Sequence, residues 1–379
     1  MSDTLDCPLF LEVNGRSFGG WLRVSVERSA TLACTQWGVI ATRVWQSRWI
    51  GPGDKVKVRI DQHDVCTGWV DNVSPAYDKG EHKIEISGRG LVCDLVDCSH
   101  VGEPVQWKNT EASIIIEALC EPFKVPVKIE TDLGKAFDNF QIQQGETAWS
   151  AIERICRLRQ VIAYDQPDGS LLITRVSEEV CPTPLVQGGN VLIARAVLDD
   201  KDRFSHYIVK GQQKAAKADK EVSPLQAAQS RGEVTDESMR RYRPMLLVQG
   251  ADSDNDTALD RAMWEKQQRW GNGRSAEITL QGWLQPNGDM WPLNRLVDVD
   301  SPWLDLDRRL CITGVVLEAG AHGLRTILTV QPPEALTPAP PSVETTPKSS
   351  PGGGDGMGYW DQIRVGAEAE EQRRKTSRQ

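Results

Sequence analysis

Three observations predict a mainly β protein of the α+β kind: alternating strand signals at both ends, a longer apolar period in the middle third, and a Pro/Gly-rich end. The terminal regions are expected to form antiparallel barrels or sandwiches flanking a mixed α/β domain, with a disordered C-terminal tail. At 379 residues the chain is too long for one ordinary domain.

From Cys7 to about Cys98 the signals are for strands. "PLFLEVNGRSFGGWLRVSVER" places Asn14-Gly15, a tight hairpin turn pair, between two β-rich runs. "DKVKVRIDQHDVCTGWV" alternates Val56, Val58 and Ile60 with charges, and "HKIEISGRG" does the same with Ile84 and Ile86. The period then changes. "NTEASIIIEALC" reads as a helix over 109–120 capped by Asn109 or Thr110. A second helix from about Thr147 to Arg159 puts Trp149, Ile152, Ile155 and Cys156 on one face. "VIAYDQPDGSLLITRV" follows as a hairpin turned at Asp168-Gly169.

Strand signals resume at "NVLIARAVLDD" and "FSHYIVKGQ". The stretch from 212 to 240 is polar without apolar period and reads as a long surface loop. "SDNDTALDRAMWEKQQRW" reads as a charged helix with Leu259, Ala262, Met263, Lys266 and Trp270 on one side. Strands return from Arg274 to Val330. After Gln331 the chain becomes "PPEALTPAPPSVETTPKSSPGGGDGMG", too poor in apolar residues to offset ordering entropy. A short apolar island, "YWDQIRV", interrupts the tail, and Tyr359 and Trp360 make it a candidate docking peptide.

An echo links the two β regions. "CTGWVDNVSPAYDKGEHKIEISG" and "ITGVVLEAGAHGLRTILTV" each open on a Thr-Gly pair, Thr67-Gly68 and Thr313-Gly314. Val297/Val299 answers Val56/Val58, and His322 answers His82. Nine residues separate Val58 from Thr67 and fourteen separate Val299 from Thr313, so the residues alone leave chance similarity open.

Composition narrows the function classes. A net charge of −9 argues against gripping nucleic acid by its phosphates. No run of about 18 apolar residues exists, so no membrane insertion is expected, and "MSDTLDCPLF" lacks the features of a secretory signal. Nine scattered cysteines without a CxxC imply buried reduced thiols of a cytoplasmically made protein. Thirteen tryptophans against six Phe and five Tyr suggest core packing plus docking surfaces.

No catalytic, cofactor or metal constellation is found: there is no HExxH, GxSxG or P-loop. Gly88-x-Gly90 has Cys93 where a third Gly is needed. Asp252, Asp254 and Asp256 begin like a calcium loop, but Thr257 and Met263 occupy the positions of its Gly and bidentate Glu. The acids of "DVDSPWLDLD" match a glycosidase pair only in type. Segment 140–174 opens like a LysM peptidoglycan-binding module at Gly145-Glu146-Thr147, then departs into a hairpin where a second helix belongs. Sugar binding or cell-wall cleavage is the rival reading, and helix capping by Thr147 the simpler one.

"SGRGLVCDLVDCS" after "VCTGWVDNVSPAYDKGEHKIEI", together with "LQGWLQPNGDMWPLNRLVDVDSPWLDLDRRLCITGVVLEAGAHGLRTILTVQPPEAL", resembles the baseplate hub proteins of Mu-type contractile-tail phages, the Mu-like tail protein P family. "QGETAWSAIERI" falls where that family carries its middle domain, and the resemblance runs from about residue 7 to 336. It implies two tube-type β-barrels per chain: a first barrel at 1–98, an α/β domain at 99–182, and a second barrel at 183–336 with loop 212–246 and helix 253–270. The tail at 337–379 follows. It further implies a homotrimeric ring with six similar barrels, joining the tail tube to the central spike and passing DNA without binding it specifically. The family lends no catalytic residues or cofactors. A virion location in the tail baseplate, after assembly in the host cytoplasm, completes the expectation.

Overall fold

A computed structural model describes residues 7–42, 50–80, 82–212, 229–248 and 255–337. The N-terminal region is all strand: β1 (Leu9–Val13), β2 (Arg16–Phe18), β3 (Arg23–Ser29), β4 (Gln36–Thr42), β5 (Lys55–Ile60), β6 (His63–Tyr77) and β7 (His82–Gly90). Asn14 and Gly15 adopt φ of 51° and 74°, the left-handed pair that a tight hairpin between β1 and β2 requires. Val56, Val58 and Ile60 turn inward on β5 while the charges between them stay wet.

The middle region alternates helix and strand: α1 (Cys93–Asp97), β8 (Gln106–Thr110), α2 (Ala112–Cys120), β9 (Val127–Ile129), β10 (Phe137–Gln141), α3 (Ala148–Arg159), β11 (Ile162–Asp165) and β12 (Leu171–Thr174). Asn109 and Thr110 do not cap α2: they end β8, and Glu111 takes the cap position without a side-chain bond. Asn109 is instead in the left-handed region, φ 49°. Thr147 does cap α3, its hydroxyl accepting the Ser150 amide at 3.1 Å. Ile152, Ile155 and Cys156 are buried as expected, with Ala148 and Ala151, while Trp149 is only half-buried. Ile115, Ile116, Leu119, Ile152, Ile155 and Ile173 belong to one apolar cluster.

The last region comprises β13 (Leu185–Val186), β14 (Val191–Leu198), β15 (His206–Gln212), β16 (Gln229–Thr235), β17 (Pro244–Val248), α4 (Asn255–Asn272), β18 (Arg274–Gln281), β19 (Leu296–Ser301), β20 (Leu306–Gly320) and β21 (Gly323–Gln331). The surface loop expected at 212–246 is corrected: β16 and the start of β17 lie within it. They pair on either side of β15, so tertiary partners supply the hydrogen bonds that local pattern did not announce. The apolar face expected on α4 is rotated. Ala258 and Ala262 are buried, while Leu259 and Met263 are about two-fifths exposed. A Cβ on Gly232 of β16 would fall 2.2 Å from the Ala258 backbone, a close approach that leaves room for glycine alone.

Two separate closed barrels are not what forms. Strands from both ends of the chain join one 13-stranded sheet in the order β14-β18-β21-β20-β3-β4-β7-β6-β5-β1-β2, with β13 and β19 branching from β20. The seam is antiparallel pairing of Gly314–Ala319 with Val24–Ser29. Because β20 gives its second edge to β3, it has none left to close a ring of its own. Its core is shared likewise, with Leu9, Trp21, Val58 and Ile86 in one cluster with Ile278, Leu317 and Leu328.

Candidate assembly surface

Each terminal region contains the same three-strand meander. In the first, β5 pairs with the opening half of β6 and β7 with its closing half. In the second, β19 and β21 flank β20 in the same way. The long strands have 15 residues each and the closing strands nine each. Each long strand carries a bulge just past the point where its partner changes, between Val70 and Asn72 in β6 and between Ile312 and Gly314 in β20, and a bulge bends a strand.

Thr67-Gly68 and Thr313-Gly314 fall inside these long strands but at different registers. Gly68 pairs with both Val56 and Gly90, at the crossing of the first meander. The crossing of the second is Cys311, paired with both Leu296 and Gln331, three residues before Gly314. The meanders correspond as units, while their Thr-Gly pairs are offset. Local chemistry differs too. Thr67 donates its hydroxyl to the Pro167 carbonyl at 2.9 Å, whereas the Thr313 carbonyl accepts from the Ala30 amide at 2.9 Å, bracing the seam. A Cβ on Gly68 would lie 1.9 Å from the Arg89 carbonyl oxygen; on Gly314 it would meet the Thr329 side chain at 3.2 Å.

The middle region is fastened to the N-terminal strands, just before β4, through a buried carboxylate. Asp165 accepts from the Thr35 amide at 2.7 Å and the Thr35 hydroxyl at 3.0 Å. Burial raises this carboxyl to about 6 despite those bonds and the buried Arg28 guanidinium nearby. Segment 140–174 consists of the end of β10, the Thr147-capped α3 and the β11–β12 hairpin. Gly169 in that hairpin has φ 87°, and no helix stands between α3 and the strands.

The described residues carry several features suited to assembly. Among them no group of His, Cys, Asp and Glu is placed to hold a metal, and no helix is long and apolar enough to cross a membrane. Burial pushes the thiols of Cys34, Cys93, Cys120, Cys156 and Cys311 up to about 12, leaving them neutral and poorly nucleophilic. Open edges are prominent. The sheet ends at one side on β2, three residues long, and at the other on β14, eight residues with Arg195 as its one charge. Leu192, Ile193, Val197 and Leu198 of β14 are exposed, Leu198 by 70%. β17, "PMLLV", is a second such edge, with Leu246 57% and Val248 84% exposed. Trp303, at the β19–β20 turn, is 86% exposed. Sequence reasoning missed these edges. The signals were apolar runs without strict alternation, "VLIARAV" and "PMLLV". Tyr359 and Trp360 lie outside the described residues.

Residues 9–90 match the family model of the Mu phage baseplate assembly protein GpP-like N-terminal domain. Residues 92–175 match the second domain of gp44-like baseplate hub proteins, and 254–339 the fourth domain of GpP. The baseplate hub protein gp44 of Escherichia phage Mu is 32% identical over 352 residues, spanning 90% of this chain and 92% of that one. The chain belongs to the Mu-type baseplate hub proteins.

The hub fold extends to solved structures. The 43 kDa tail protein of prophage MuSo2 from Shewanella oneidensis superposes with a TM-score of 0.77 at 30% identity, over 88% of this chain and 99% of that one. The E. coli c3393 protein, a type VI secretion component described as similar to the T4 tail proteins gp27 and gp5, shares the fold alone. It has a TM-score of 0.51 at 9% identity, covering 85% of this chain and 76% of that one. The hub is thus a structural component of a phage tail baseplate, located in the virion tail. Its match to the hub second domain runs through the whole LysM-like segment.

Proposed function

We propose that three copies of this hub close into a ring joining the sixfold tail tube to the threefold central spike, with DNA passing through the lumen. The observation that carries this reading is the pair of meanders with equal strand lengths in one chain. A threefold ring then offers six similar modules to the tube while keeping threefold symmetry for the spike. The acidic balance of −9 suits a passage from which phosphate must slide free. Assembly takes place in the host cytoplasm, in keeping with free, mostly buried thiols. The divisions at 1–98, 99–182 and 183–336 act as the ring's building units, the two end regions being joined by their shared sheet.

The edge β14 is the contact offered to a neighbouring copy. An eight-residue apolar edge is an association hazard when uncovered, and a cyclic assembly covers it. Light scattering at micromolar concentration and negative-stain images test the reading. The expected outcome is a trimeric mass and a ring in end view. Leu192→Asp with Leu198→Asp is expected to yield folded monomer. A wild-type chain that stays monomeric at these concentrations, with no ring in the images, rejects the proposal.

A further inference from the structure

The strands β15, β16 and β17, with helix α4, form a module set between two strands that are themselves paired. The chain enters it from β14 and leaves it into β18, antiparallel neighbours with Leu198 opposite Arg274. The two crossing chains touch at Asp199 and Gly273. There the Asp199 amide donates to the Gly273 carbonyl at 2.8 Å, and a Cβ on Gly273 would fall 2.1 Å from the Asp199 carbonyl oxygen. Only glycine lets the two backbones lie this close. Among the described residues, no strand of the module pairs with the 13-stranded sheet. Its core, Tyr207, Val209, Ala258 and Ala262, is likewise separate from the cluster under that sheet. Charged groups tie its parts together. Arg203 donates to Asp200 and Asp236 at 2.6 and 2.7 Å, and Glu265 of α4 accepts from Arg261 and Arg269. A unit with its own sheet, helix and core, hung on a two-chain stalk, is built to turn as one body.

Away from the stalk, a strap holds the module. After β21 the chain makes the short 3-10 turn Pro333–Ala335 against α4. Trp264 of α4 donates its indole N–H to the Thr337 carbonyl at 2.8 Å. A Cβ on Gly271 would lie 2.8 Å from the Ala335 nitrogen, so strap backbone rests on helix backbone. Leu336 is buried in the core cluster of the large sheet, which anchors the strap there and leaves its contact with α4 as the one that can part. At the stalk itself, Arg274 donates to the Trp270 carbonyl at 3.2 Å and stands 3.6 Å from Asp200. We propose that β15, β16, β17 and α4 are a hinged module that turns about Asp199 and Gly273 when the strap Pro333–Thr337 parts from α4. A few residues at element ends are where such hinges bend. The turn carries the edge β17 with it, so the hinge angle sets how β17 is presented relative to β14. This goes beyond the ring reading and stands or falls separately from it.

Spin-label distances in the full-length chain, read by double electron–electron resonance, test the proposal. Labels are placed by Glu233→Cys on β16 and Glu277→Cys on β18, both exposed positions. Cys98→Ser removes the one exposed native thiol, the other eight being buried. Wild type is expected to show a main distance and a displaced minor one. The minor population is expected to rise about tenfold in Gly271→Ala, whose methyl group pushes on the Ala335 backbone. Trp264→Phe, which removes the indole donor, is expected to raise it in the same direction by less. A second label pair, Glu233→Cys with Gln267→Cys, lies wholly within the module and is expected to keep one narrow distance in every variant. Alanine is a better helix former than glycine, so loss of α4 does not explain a change in Gly271→Ala. An unchanged distance between positions 233 and 277 in both strap variants overturns the proposal. So does broadening of the distance between 233 and 267, which would mean that the module melts instead of turning.

Discussion

The two meanders are built to one plan and tuned differently. In the first, Gly68 and Gly88 sit where backbones almost touch: a Cβ on either would come within 1.9 Å of a carbonyl oxygen across the strands. The second meets its closing strand through Thr313, Gly314 and Thr329, where a Cβ on Gly314 would press on the Thr329 side chain at 3.2 Å and meet no backbone closely. The difference follows from what each one carries. The first meander receives the middle region at its crossing, through Thr67–Pro167, and the residue before β4 adds Asp165–Thr35. The second spends its long strand on the seam with β3. Equal strand lengths therefore do not mean equal tolerance, and the contrast can be tested.

The largest expected effect is at the crossing. Gly68→Ala should cost more than about 3 kcal/mol, or leave no folded chain, because the obstacle is backbone. Gly314→Ala should cost about 1 kcal/mol, since Thr329 can shift. Urea denaturation of both variants checks this, and equal losses would remove the distinction.

The fastening of the middle region gives a pH signature. The folded carboxyl of Asp165 titrates at about 6, above its unfolded range, so folding favours the protonated form. Its contribution is fully present below about pH 4 and lost as pH rises through about 6. Wild type should thus lose about 2 to 3 kcal/mol relative to Asp165→Asn between those values, measured by denaturation at each pH. A flat difference would mean that the carboxylate ionises in the fold without penalty.

The smallest effect compares the two threonines. Thr67→Val should cost about 1 kcal/mol by leaving the Pro167 carbonyl short of a donor. Thr313→Val should cost about half of that, its hydroxyl bond being the longer at 3.3 Å. Thermal melts of the pair would sharpen the view that the Thr-Gly motifs serve different contacts.

Features read correctly in the sequence were short-range ones. Asn14-Gly15 and Asp168-Gly169 announce turns because glycine at positive φ removes a steric penalty within a few residues. Thr147 announces a helix start because its hydroxyl meets an amide three positions on. The cap at Asn109 or Thr110 failed for the converse reason: β8 claims those residues through pairing with β10. Likewise β16 and β17 acquire strand structure only from β15. For the candidate surface, the apolar runs at 191–198 and 244–248 were in plain view, but burial could not be assigned without their neighbours.

By itself, the sequence determined the strand-rich ends, the α/β middle, the hairpin turns and, through resemblance, the hub family. Those depend on periodicity, local hydrogen bonding and recognisable residues. Only the tertiary structure decided that the ends share one sheet and one core, that the Thr-Gly pairs are offset, and that β14 and β17 are edge strands among the described residues. Strand partnership is a long-range choice: each edge can accept any strand of suitable length, and chain-distant packing determines which one it receives.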